Sequence, residues 1–167
     1  LVNEPGSTFA YSTGTSALLA GIITDTLGGP DATDTYVHER LLDPIGITTT
    51  EFQRDPSGVW LGGLGADHTA RDFARFGLLY LHDGVWAGTR ILPEGWVDYT
   101  KTPSPANPVY GAHWWMLHPD SFEARGLFGQ IVLVSPLHDL VLVITTAQGG
   151  DADTLVGALY GSFADAA

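Results

Sequence analysis

Gln130-Ile131-Val132-Leu133-Val134-Ser135-Pro136-Leu137-His138-Asp139-Leu140-Val141-Leu142-Val143-Ile144 is the stretch on which the reading of this chain turns. Two runs rich in β-branched residues, 130–134 and 140–144, flank Pro136-Leu137-His138-Asp139. That is the pattern of two strands joined in a hairpin. Downstream, Asp151 is placed to cap a final helix, with Leu155, Val156, Leu159, Tyr160 and Phe163 predicted to face inward. Upstream, Phe122 to Arg125 reads as a neighbouring strand, and His113-Trp114-Trp115-Met116-Leu117 as another.

Before residue 110 the pattern is helical. Ala17, Leu18, Leu19, Ile22, Ile23 and Leu27 recur with helical spacing after Tyr11-Ser12-Thr13-Gly14. Ser12 or Thr13 caps that helix, and Gly28-Gly29-Pro30 ends it. A second short helix is predicted through Tyr36, Val37, Arg40 and Leu41, stopping before Pro44. Residues 48–68 are rich in Thr, Gly, Asp and Pro, and read as a surface loop. Thr69-Ala70-Arg71-Asp72 resembles a capping box with Asp in place of Glu, and Phe73, Phe76, Leu79 and Tyr80 follow on one face. Asp83-Gly84 ends this helix, and Pro93 opens another that contains Trp96 and Val97. Helices first, then an antiparallel sheet, then a terminal helix make an α+β chain.

Composition narrows the function. The 167 residues are 44% hydrophobic and 11% aromatic, enough for a packed core. There is no cysteine, so thiol nucleophiles, disulfides and cysteine metal sites are excluded. The net charge of -12 lacks the basic footprint that nucleic-acid binding needs. No apolar run is long enough to span a bilayer. The six histidines are scattered with no HExxH-like spacing, and the acids form no metal-loop pattern, so neither a metal nor another cofactor is expected. The chain begins Leu1-Val2-Asn3 rather than with methionine and shows no targeting segment, so it reads as a processed or truncated piece.

Several short stretches, in order, resemble one family. Pro5-Gly6-x-x-Phe9-x-Tyr11-Ser12 with Leu18-Leu19-x-Gly21 is similar to the tyrosine motif of class C β-lactamases and their relatives. Leu42-x-Pro44-Ile45-Gly46-Ile47, Gly62-Gly63, Thr69-Ala70-Arg71-Asp72-x-Ala74-Arg75-Phe76-Gly77 and Gly84-x-Trp86-x-Gly88-x-Arg90-Ile91-Leu92-Pro93 follow in the family's order. Phe122-x-Ala124-x-Gly126-x-x-Gly129-Gln130, then Pro136 and Asp139, resembles its sheet-edge strand and hairpin. The chain thus resembles the serine β-lactamase and penicillin-binding-protein-like hydrolases, nearest to 6-aminohexanoate-oligomer hydrolases and family VIII esterases. The resemblance implies the C-terminal portion of a β-lactamase/transpeptidase-like fold over residues 1–167, an antiparallel sheet flanked by helices.

Members of that family acylate a serine in a Ser-x-x-Lys motif, whose spacing puts both residues on one helix face. This sequence has no such motif; Lys101, its only lysine, has Asp98 three residues before it. By the resemblance, Tyr11 is the catalytic candidate, a phenol that becomes a base only in a cationic field. Read without the resemblance, Tyr11 packs at a helix start. Thr13 stands where many relatives have asparagine, and offers one hydroxyl and a methyl instead of an amide. Ala124-Arg125-Gly126 aligns with the family's Lys-Thr-Gly, so the cation that attracts a substrate carboxylate is missing. Arg125 either restores that charge or points away from the cleft by strand alternation. Gly126 lets a substrate approach the backbone, or simply makes a turn or bulge with Gly129. The resemblance makes the Leu127 N–H one oxyanion donor. Trp60, Trp114 and Trp115 line an acyl pocket or belong to the core.

The expected function is therefore part of a serine hydrolase, an esterase or amidase cleaving a small-molecule ester or amide through an acyl-serine. The nucleophile comes from a missing N-terminal segment, so this chain alone is expected to be inactive. The alternative is a catalytically inactive fragment or relic that serves as an interaction or structural module. The expected polypeptide partner is the N-terminal half of the same protein, or a second copy, joined through the open edge of the strand 140–146. Bacterial periplasm, extracellular space and cytoplasm all stay open.

Overall fold

The computed structural model describes residues 2–147 and 150–164. The chain divides into two compact units, Ala10–Asp72 and Leu1–Phe9 with Phe73–Ala167.

In the unit Ala10–Asp72, Ser12 rather than Thr13 caps α1 (Thr13–Leu27), its hydroxyl accepting from the Gly14 N–H at 3.2 Å. Thr13 is the first residue inside the helix. Gly28 ends α1 at φ 94°, a left-handed turn that glycine adopts without steric cost. Pro30 does not belong to that terminus. It opens α2 (Pro30–Val37), where its fixed φ and missing N–H suit the first helical turn. Pro44 does not halt the chain either: α2 widens into a π turn, His38–Leu42, then tightens into a 3-10 turn, Asp43–Ile45, that contains Pro44. The change of helix type lets the backbone carry a proline through. Leu42, Ile45 and Ile47 are buried here.

The periodicity of α1 is helical as expected, but its burial is not. Ala20 and Thr24 are buried, while Leu18, Leu19, Ile22 and Ile23 are exposed. Residues 48–68 form a loop with a small antiparallel pair, β1 (Glu51–Phe52) with β2 (Ala66–Asp67).

α3 (Ala70–Leu81) starts on the predicted cap. The Asp72 N–H donates to the Thr69 hydroxyl at 3.2 Å, and that hydroxyl donates to Asp72 Oδ2 at 2.7 Å. The Thr49 hydroxyl also donates to Asp72 Oδ2, so this carboxylate is buried with partners.

In the other unit, a tight hairpin β3 (Val85–Trp86) and β4 (Thr89–Arg90) leads to α4 (Trp96–Lys101). The sheet is β5 (Phe122–Gly126), β6 (Gln130–Ser135) and β7 (Leu140–Ile144), antiparallel in chain order. Its two faces alternate as strand geometry requires. Phe122, Val132 and Val134 pack with Tyr80, Val97 and Trp114 against α3 and α4. Ile131, Leu133 and Ile144 pack with Val156 and Tyr160 of α5 (Ala152–Ala164). Each fully buried aliphatic chain contributes about 1.5–3 kcal/mol. Asp151 caps α5 as predicted, accepting the Thr154 N–H at 3.0 Å.

Two expectations for this unit change. Residues 113–117 are not a strand; Trp115 makes single bridges to Tyr110 and Glu123. His113 sits at φ 68°, which turns the backbone and sends Trp114 into the core, where it is 3% exposed. In α5, Leu155 and Phe163 are exposed although they were expected inward, because the face toward the sheet is set by Ala152, Val156 and Tyr160. Among the described residues, β7 pairs with β6 alone and leaves its other edge open.

Candidate functional site

The end of β5 and the turn after it carry the candidates Arg125, Gly126 and Leu127. Glu123 and Arg125 are two apart on one strand, so their side chains share a face, opposite Leu133 and Ile131 of β6. This is the face that α5 covers. Arg125 Nε donates to Glu123 Oε1 at 3.1 Å, and its terminal nitrogen lies 2.5 Å from Asp153 Oδ1 on the first turn of α5. Burial pulls the Arg125 guanidinium down, but the Asp153 hydrogen bond and the Glu123 charge outweigh it and leave it above the ordinary arginine value. Arg125 is thus engaged by two carboxylates. Of the two directions that alternation left open, it takes the α5 side. Ala124, on the other face, packs against the core with Phe122 and Val132.

After Gly126 comes a one-turn connection, Leu127–Gly129. Gly126 itself is extended at φ −112°, so its freedom is not conformational. A Cβ there would lie 3.1 Å from Gln130 Cβ, tighter than ordinary packing. Gly129, at φ 87°, is the residue of the pair that needs glycine. Phe128 also takes a left-handed φ of 63°. Leu127 is 68% exposed. The connection borders a cleft of about 390 Å³ lined by Arg125, Phe128, Gln130, Asp151 and Asp153, among others.

Tyr11 and Thr13 lie in the other unit. Tyr11 is 63% exposed, immediately before the Ser12 cap of α1. Two glycines shape this end of the helix. A Cβ on Gly62 would meet the Ser16 carbonyl oxygen at 2.3 Å, and one on Gly63 would meet Thr13 Cγ2 at 2.5 Å. The Gly62-Gly63 pair therefore lets the loop lie directly on the first turn of α1, and Thr13 packs with its methyl toward that loop. Trp60 is fixed by its own unit: its indole donates to Asp34 Oδ1 at 2.9 Å and stacks on Phe52 with ring centres 4.0 Å apart. In the sheet unit, Trp114 is core, and Trp115 joins Phe9 and Tyr110 in an aromatic trio.

The sequence model of the β-lactamase family matches residues 1–162. The chain belongs to the β-lactamase family. It is 28% identical over 152 residues to the 6-aminohexanoate-dimer hydrolase of Paenarthrobacter ureafaciens, a match that covers 81% of this chain and 38% of that protein. A solved protein of Bacillus anthracis, also described as a 6-aminohexanoate-dimer hydrolase, superposes with a TM-score of 0.79 at 28% identity, over 96% of this chain and 44% of that one. A Mycobacterium bovis β-lactamase shares the fold at 21% identity, with a TM-score of 0.71 over 94% of this chain and 66% of that one. The chain thus spans less than half the length of either hydrolase relative. It is a serine β-lactamase/penicillin-binding-protein-like chain with an α+β β-lactamase-like fold.

Within this family frame, sequence reasoning missed Glu123, Asp153, Gln130 and Thr146. Gln130 and Thr146 strap the connection: the Gln130 amide donates to the Thr146 carbonyl at 2.6 Å and accepts the Thr146 N–H at 3.1 Å, while the Thr146 hydroxyl donates to the Phe128 carbonyl. One signal was available. Glu123 is an acid two residues from an arginine in a strand otherwise made to be buried. Among the described residues no group of three or more His, Cys, Asp or Glu could hold a metal, and no helix is long and apolar enough to cross a membrane.

Proposed function

We propose that this chain forms part of a serine hydrolase that cleaves a small-molecule ester or amide through an acyl-serine intermediate. The nucleophile and its lysine come from a Ser-x-x-Lys segment N-terminal to these residues. Tyr11 shuttles the proton to and from the serine and the leaving group. The Leu127 N–H supports the oxyanion. The observation that carries the reading is the β-lactamase family match over residues 1–162. The two hydrolase relatives support including amides in the proposed substrate range. Ala124 in place of the family's lysine and the engagement of Arg125 by Glu123 and Asp153 leave no spare cation at that strand for a substrate carboxylate. This favours esters and amides uncharged at that end over β-lactams.

A second reading is a relic that serves as an interaction module. It draws on the exposed row Leu18, Leu19, Ile22 and Ile23 of α1 and on the open edge of β7. In both readings the partner is a polypeptide, the N-terminal half of the same protein or a second copy. The deciding experiment joins these residues to an upstream Ser-x-x-Lys segment and measures p-nitrophenyl butyrate hydrolysis. Turnover that drops about 10²–10⁴-fold in Tyr11→Phe, the range of positioned acid–base catalysis, supports the enzyme. No serine-dependent turnover leaves the relic reading.

A further inference from the structure

The connection that presents the Leu127 N–H is held from two sides by side chains the proposed chemistry does not use. On one side, Gln130 and Thr146 tie it to the end of β7. On the other, Arg125 bridges β5 to the first turn of α5, 3.1 Å from Glu123 and 2.5 Å from Asp153. The unequal exposure of the two carboxylates gives this bridge a direction. Glu123 is 1% exposed, and its second oxygen, Oε2, has no hydrogen-bond partner among the described residues. Such a carboxylate holds its counter-ion strongly, because the alternative is an unpaired buried charge. Asp153 is 73% exposed at its side chain and lies on a different element. Arg125 is therefore anchored by Glu123 at the root of β5, and Asp153 draws its far end onto α5. The residue after it is Gly126, and the next is Leu127.

We infer that Arg125 and Asp153 form a clamp that fixes the β5–β6 connection, and through it the direction of the Leu127 N–H. Arg125 is a positioning residue, not a substrate ligand. This inference rests on the hydrolase reading, in which that N–H faces the developing oxyanion. An oxyanion donor contributes only when it already lies where charge develops, so small displacements of the connection are costly. The left-handed φ of Phe128 is consistent with a connection held by its surroundings rather than by its own preference.

The test uses Asp153→Asn, which removes one end of the clamp at an exposed position and leaves the buried Glu123–Arg125 pair intact. Amide hydrogen exchange at Leu127, Phe128 and Gly129 is read first, in this chain, where no turnover is needed. We expect exchange there to rise about tenfold, as for a segment that opens locally, with the β6 and β7 amides unchanged. In the protein that also carries the Ser-x-x-Lys segment, kcat is expected to fall about tenfold with KM within about twofold, less than the 10²–10³-fold loss of a whole donor. Asp153→Glu, which keeps the carboxylate, restores most of both. Unchanged exchange in Asp153→Asn overturns the clamp. Faster exchange with unchanged kcat overturns its positioning role and leaves a structural ion pair. A wild-type protein with no turnover fails the hydrolase reading itself, and the exchange result separates that failure from a failure of the clamp.

Discussion

The Trp60 indole and the Arg54 guanidinium share one carboxylate, that of Asp34: the indole donates to Oδ1 at 2.9 Å and the guanidinium to Oδ2 at 2.5 Å. A residue of α2 thereby holds both ends of the turn 54–60, which Arg54 and Trp60 also close by a backbone bridge. Asp34→Ala removes both bonds. The ion pair is about one-third exposed on each side, so solvent screens it to a fraction of a kcal/mol, and the indole bond contributes about 1 kcal/mol. The expected loss is about 1–2 kcal/mol in urea unfolding, with the slope unchanged. An unaltered midpoint would show that the loop 48–68 is not fastened by Asp34.

Two glycines on helices predict opposite signs for one substitution. On α3, a Cβ at Gly77 would meet Val141 Cγ1 at 2.6 Å and Val132 Cγ1 at 3.1 Å. Gly77→Ala should cost about 1–3 kcal/mol from overpacking, despite the gain in helix propensity. On α5, a Cβ at Gly157 meets nothing within 4 Å. Gly157→Ala should stabilise by about 0.4–1 kcal/mol. Thermal melting of the two variants side by side checks both, and a gain at Gly77 would mean that α3 sits farther from the sheet.

His68 provides a pH dependence with a definite sign. Burial pulls it below the ordinary histidine value, against the pull of Asp72 and Asp67 in the other direction. The unfolded chain therefore binds this proton first as pH falls. The His68 contribution to stability is complete above pH ~6.5 and declines as pH drops from there through the lower folded value. His68→Gln should flatten the fall in melting temperature between about pH 7 and pH 5. A wild-type and variant pair with parallel curves would contradict this.

The pair Glu123 and Arg125 should be strongly non-additive. Arg125→Met strands a carboxylate that is 1% exposed, at a cost of about 3–5 kcal/mol. The double variant Glu123→Leu with Arg125→Met removes the buried charge along with its partner and should recover most of that loss. Denaturant unfolding of the two singles and the double closes the cycle. Equal losses in the single and double variants would show that the pair does not act as a unit.

Much of the fold was legible in local chemistry. The hairpin at 130–144 announced itself because two β-branched runs flank the turn residues Pro136-Leu137-His138-Asp139. The cap at Thr69 and the cap at Asp151 followed from side chains that can accept a backbone N–H, and both are formed. Residues 113–117 misled for a physical reason. Adjacent bulky aromatics look like a strand, but a single left-handed residue, His113, reverses the backbone before them. Pro44 misled likewise, since a change of helix type can absorb a proline that an α-helix rejects.

The candidate site divides in the same way. The sequence by itself determined the family motifs, the absence of Ser-x-x-Lys from these residues, and the alanine at position 124, because these depend only on residue identity and order. Tertiary structure alone decided that Arg125 turns toward α5, that Glu123 is buried beneath it, and that Trp60 answers to Asp34. It also decided which side of α1 is covered: periodicity fixes that a helix has an apolar stripe, but Ala20 and Thr24 are buried while Leu18 and Ile22 are not. The reason is common to all four. Local sequence sets the direction of a side chain relative to its own backbone, and only the packing of distant segments sets what that direction meets.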